Sequence, residues 1–168
     1  VTDLADPLIR ARLPEPVPPL RRRLELTGLV ARLIEAEPDL APKSALYDLS
    51  DSLAALLEEM QGEGVPPEAI AALDVTDQSG HWQRALRFLS IVGQYFETDA
   101  TPDQTGFQRL ALAERVAQWQ ASPPQHPVIV AGSTGSRGTT AALMQVVAQL
   151  PQGAVVLPGF DDHMPGPV

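Results

Sequence analysis

Cysteine is absent from the 168 residues, which excludes disulfides, thiolate metal sites and cysteine-ligated clusters within this chain. Lysine is almost absent, Lys43 being the only one, so the lysine of a nucleotide-binding loop is missing. A nuclease of the D…(D/E)xK kind needs an acid two residues before a lysine, and Ala41 holds that place. Aromatic residues make up only 5% of the chain. Positive charge is scarce as well: 12 Lys and Arg against 21 Asp and Glu leave a net charge of −9. On bulk electrostatics that balance argues against a dedicated nucleic-acid-binding module. It still permits a piece of a DNA-handling machine whose basic channel is built elsewhere. No apolar run approaches the ~20 residues that span a bilayer, and the N-terminus has no basic region followed by an apolar one. A cytoplasmic protein is the expectation.

Proline is plentiful, with 17 residues, and it breaks the chain into short elements. Residues 1–12 carry Leu4, Leu8 and Ile9 at helical spacing. The run Pro14-Glu15-Pro16-Val17-Pro18-Pro19 reads as an extended connector. Leu26, Leu29, Val30 and Leu33 mark a helix over 20–37, stopped by Pro38. The strongest helical pattern lies over 43–61, where Leu46, Leu49, Leu53, Leu56 and Met60 alternate three and four apart and Leu57 widens the stripe. A short helix follows Pro66-Pro67. A further helix is expected over 80–96, with Trp82, Leu86, Leu89, Gly93 and Phe96 on one stripe and Phe88, Ile91, Val92 and Tyr95 on another. The last of this series runs over 101–121 and carries Phe107, Leu110, Leu112, Val116 and Trp119.

The character then changes. Val128-Ile129-Val130-Ala131 suits a buried strand, followed by the loop Gly132-Ser133-Thr134-Gly135-Ser136. A helix of about a dozen residues comes next, with Leu143, Val146, Val147 and Leu150 on one face. Ala154-Val155-Val156-Leu157 reads as a second buried strand. Strand, crossover helix and strand in this order give parallel strands in one sheet. The expected fold is therefore mostly α with a C-terminal β-α-β unit. It divides into an N-terminal segment and proline-rich connector (1–19), a helical body (20–122) and a strand–loop–helix–strand unit (123–168). Parallel sheets are normally covered on both faces, and two short strands leave such a sheet incomplete. A fragment of a larger protein is expected.

The glycine loop has two readings. It is either a strand-to-helix turn that needs flexible residues, or a contact for an anion or DNA backbone, formed by Gly132, Ser133, Thr134, Gly135, Ser136 and Arg137 before a helix N-terminus. It is not a Walker A loop, because Arg137 and Thr140 stand five after Gly132 and Gly135. It is not a dinucleotide loop, because Thr134 takes the place of the second glycine. Neither Ser133 nor Ser136 has the flanking glycines of a hydrolase elbow. Arg21, Arg22 and Arg23 are likewise either a solvated helix face or a basic patch for phosphates. Asp161-Asp162-His163 has the composition of a metal or acid–base cluster, though adjacent loop carboxylates more often cap or solvate. His81 and His126 stand alone. No catalytic residue and no metal ligand is assigned.

The stretch PVIVAGSTGSRGTTAALMQVVAQLPQGAVVLPGFD resembles a segment of the AddB subunit of bacterial AddAB-type helicase–nucleases, in the alphaproteobacterial form. The matching positions are Pro127, Ala131 to Ser136, Leu150-Pro151, Gly153 to Gly159 and Asp161, about a quarter of the chain. The resemblance implies a part in double-strand break repair, within an ATP-dependent complex that unwinds and resects DNA ends. It implies an AddA-type helicase–nuclease subunit and DNA as partners. ATP, magnesium and an iron–sulfur cluster belong to the parent complex, with none held in this segment. The segment would be the helical insertion of a superfamily-1-like helicase domain and the return to its parallel sheet. The loop after Ala131 would sit where active relatives place an acidic magnesium-binding pair. Gly132-Ser133 stands there instead, which implies a scaffold rather than a motor. Two other classes remain open on the residues alone: a small-molecule or phosphate-binding α/β domain using the 132–136 loop, and a helical interaction module without a ligand.

Overall fold

The computed structural model describes residues 4–66, 68–72, 88–90, 93, 95 and 101–159. Over these the chain is mostly helical, with one two-stranded parallel sheet. Asp6 opens the first helix, α1 (Pro7–Arg10), by accepting the N–H groups of Leu8 and Ile9 at 2.9 Å each. Pro7 at the first position has no N–H to leave unpaired. The proline connector has no regular secondary structure as far as Pro18 (φ −58°, ψ 138°), while Pro19, expected in the connector, already opens the next helix. The connector is pinned to the body, since Val17 is buried and its N–H donates to the Pro102 carbonyl at 2.9 Å.

Helix α2 (Pro19–Ala36) and helix α3 (Leu46–Glu63, entered through a 3₁₀ turn at Lys43–Ala45) pack against each other. Leu26, Val30 and Ile34 of α2 meet Leu53, Leu57 and Met60 of α3, together with Tyr95. The buried line on α3 runs Ser50, Leu53, Leu57, Met60. The expected stripe is thus slightly rotated, and Leu46, Leu49 and Leu56 are only partly buried beside it. Ser50 tolerates full burial because its hydroxyl donates to the Leu46 carbonyl one turn back, at 2.7 Å. A short helix, α4 (Glu68–Ala71), follows. Of the helix expected over 80–96, residues 88–90, 93 and 95 are helical; Trp82, Leu86, Ile91, Val92 and Phe96 lie outside the described residues.

Helix α5 (Gln104–Ala121) joins two further clusters. Phe107 and Ala111 pack on Ala5 and Ile9 of the N-terminal segment. Leu112, with Val116 and Trp119, packs on Leu143 and Val147 of helix α6 (Gly138–Gln149) and on the sheet. Leu110 is 40% exposed and takes no part. The small Ala111 is fully buried in its stead.

Strand β1 (Val128–Ala131) pairs in parallel with β2 (Gly153–Val156), Ile129 opposite Ala154 and Ala131 opposite Val156. Both strands alternate half-buried and exposed residues. Val128, Val130 and Val155 face the cluster around Leu143 and Val147. The expectation of strands buried on both faces is corrected here: Ile129 (63% exposed) and Val156 (55%), with the exposed Ala131 and Ala154, form an open apolar face, and Leu157 just past β2 is exposed as well (61%). One face is covered, by α5 and α6. No helix among the described residues is long and apolar enough to cross a membrane.

Candidate functional site

The end of α3 meets the beginnings of α5 and α6. A helix start presents unpaired N–H groups and a partial positive charge, and both starts here are served by side chains of α3. Gln61 Oε1 accepts the N–H of Asp103 at 2.9 Å. Asp103 is itself the N-cap of α5, and its carboxylate accepts from Gly106 N at 2.8 Å. Two residues on, Glu63 Oε1 accepts the N–H of Gly138, the first residue of α6, at 2.8 Å. Thr139 returns a bond, its hydroxyl donating to the Gly62 carbonyl at 3.1 Å. The approach is close. A β-carbon added at Gly138 would stand 2.5 Å from Glu63 Oε2, so a side chain there would push the carboxylate away.

The glycine loop arrives at this joint from β1. Gly132 (φ 76°) and Gly135 (φ 70°) both adopt the left-handed region, where a β-carbon is costly. Ser133 is half-buried and braces the turn by accepting the Gly135 N–H at 3.2 Å. Thr134, Ser136 and Arg137 are exposed. Beyond Arg137, an open cavity of about 530 Å³ lies between α3, α5 and the start of α6. Ser136, Arg137 and Thr139 line one wall, Gln104, Thr105 and Gln108 another, and Glu58, Glu59 and Glu63 a third. Three carboxylates against one guanidinium make this space electrostatically acidic. Glu58 also accepts from the Thr105 hydroxyl at 3.0 Å.

Asp103 sits at the edge of this joint. Burial pushes its carboxyl above the ordinary value of 3.8, against the opposing pull of the Gly106 N–H and the Arg22 charge. Asp6 behaves oppositely. The N–H of Ile9 and then the Arg115 guanidinium, 3.0 Å away, hold its carboxyl below 3.8.

The three consecutive arginines point in different directions. Arg21 pairs with Glu25 one turn on, at 2.7 Å. Arg23 pairs with Asp51 of α3, Nε to Oδ1 at 2.6 Å and Nη2 to Oδ2 at 2.7 Å. Arg22 is only 4% exposed. Its Nη2 donates to the Thr101 carbonyl at 2.7 Å, and its guanidinium lies 4.9 Å from the centre of the Tyr95 ring. Nε and Nη1 of Arg22 are buried without a hydrogen-bond acceptor. Any phosphate contact from this run therefore falls to Arg21 and Arg23, both already ion-paired.

His126 is exposed before β1, while His81 and Asp161, Asp162 and His163 lie outside the described residues. Among the described residues no group of three or more His, Cys, Asp or Glu is placed to hold a metal ion. The chain has no cysteine to ligate a cluster, and Gly132-Ser133 after β1 supplies no carboxylate.

No protein-family model matches the chain, and neither does any curated protein or solved structure.

The sequence marks Asp103 only through Thr101-Pro102-Asp103 as a helix opening, and gives no sign of Gln61 or Glu63 as acceptors. Asp103 had a local signal, an Asp after proline just ahead of a helical pattern. Glu63 had none, because its partner lies 75 residues away.

Proposed function

We propose that the chain is a non-catalytic segment of an AddB-type subunit, working as scaffold in an ATP-dependent helicase–nuclease complex that processes DNA double-strand breaks. In this reading the helices form the insertion of a superfamily-1-like helicase domain, and β1, α6 and β2 belong to its parallel sheet. One observation carries the scaffold role. The loop leaves a parallel strand at its carboxyl end, where open α/β sheets bind ligands, yet the helix start behind it already holds an internal carboxylate, Glu63. A helix start filled in this way fixes one element against another. The string from Pro127 to Asp161 supplies the parent. The open face of Ile129 and Val156 supports it, since a parallel sheet is ordinarily covered on both sides. The AddA-type subunit and DNA are the partners, and ATP and magnesium act in the partner's motor.

The test is the full reading frame, co-expressed with an AddA-type subunit. The expected result is a stoichiometric complex that resects duplex ends, with a nuclease motif and four cysteines downstream of this segment. A frame without those features, whose product does not bind the AddA-type subunit, would remove the proposal.

The cavity reaching Ser136 and Arg137 favours a second reading, a phosphate-binding α/β domain. An anion there would have to displace Glu63 and face Glu58 and Glu59. Titration with inorganic phosphate, followed by amide shifts over 132–139, separates the two. Shifts that vanish in Arg137→Ala favour the second reading; no shifts in the wild type favour the scaffold.

A further inference from the structure

We draw no further inference here: the strongest candidate, the open apolar face of the two-stranded sheet around Ile129 and Val156, carries nothing because nothing in the structure shows what covers it.

Discussion

Replacing Glu63 by alanine removes the acceptor that holds the first N–H of α6, and the size of the loss follows from the geometry. The bond is 2.8 Å long and exposed. A side chain capping a helix start is worth about 0.5–2 kcal/mol, and a carboxylate beside the helix dipole adds about 0.3–1 kcal/mol at an exposed position. Glu63 reaches α6 from another element, so a long side chain is ordered to make the bond, and that entropy offsets part of the gain. We expect Glu63→Ala to lose about 1 kcal/mol. Glu63→Gln keeps an acceptor oxygen and should lose about half as much. In a chain of this size 1 kcal/mol lowers Tm by about 2–4 °C. Urea unfolding of the purified chain measures the loss. The charge component should shrink between about 0.01 M and 1 M salt, as the Debye length falls from about 30 to 3 Å. Hydrogen exchange then localises the effect, with amides 138–141 exchanging faster in Glu63→Ala. A stability change under about 0.2 kcal/mol, far below an ordinary cap, together with unchanged exchange at 138–141, would refute the capping argument. The joint would then be held by its other hydrogen bonds, Gln61 to Asp103 and Thr139 to Gly62, and by apolar contacts.

Leu57→Ala and Leu53→Ala should each lose about 2–5 kcal/mol in urea unfolding, because both side chains are fully buried between α2 and α3; Leu110→Ala, at an exposed position, should lose under about 0.5 kcal/mol. Arg22→Lys should be more destabilising than Arg22→Met, since lysine keeps a buried charge while losing the guanidinium's contact over the Tyr95 ring, and methionine removes two donor nitrogens that have no acceptor. The reverse order in thermal melts would mean that the charge itself holds the site together. Asp103→Asn keeps an acceptor for the Gly106 N–H and should leave the chain no less stable at neutral pH. The native Asp103 carboxyl holds its proton more tightly than the unfolded one, so stability falls as pH rises from 3.8 through the raised native value, and this component should vanish in Asp103→Asn. Asp6 has the opposite sign: its contribution is present above 3.8 and is lost as pH falls through the lowered native value, so Asp6→Asn should remove a loss of stability on the acid side.

Element positions were legible wherever the chain carries its own punctuation. Pro19 and Pro38 bracket α2, and Pro127 with Gly132 brackets β1, because these residues act on their own backbone and need no partner. The phase of a buried face is a different quantity, set by what packs against it. The leucines of α3 suggest a stripe through Leu46, Leu49, Leu53, Leu56 and Met60 with Leu57 beside it; α2 approaches slightly to one side, so Leu53, Leu57 and Met60 are buried with Ser50, and Leu46, Leu49 and Leu56 only partly. On α5 the same rule favoured Leu110 over Ala111 by hydrophobicity alone. The close approach of α1 selects the small residue instead, and Phe107 one turn earlier fills the space. In the strands, apolar residues at every position concealed that only alternate ones are covered.

The arginine run shows how a one-dimensional charge cluster dissolves in a helix. Successive residues are turned by about 100°, so three in a row sweep about 200° of the circumference. A helix that buries one stripe cannot keep all three in one exposed patch. With Leu26 and Val30 fixing the buried side of α2, Arg22 falls four residues before Leu26 on that same side, and Arg21 and Arg23 fall to either flank. The side chain at 22 had to be one that could reach a carbonyl and set a charge over a ring, and arginine does both. The glycine loop follows the same logic at longer range. Its left-handed residues could be foreseen from the sequence, because glycine accommodates them locally. What fills the helix start behind it is decided by Glu63, brought there only when α3 and α6 have packed. Local sequence announces an electropositive helix start, and the tertiary fold decides whether a ligand or the protein's own carboxylate satisfies it.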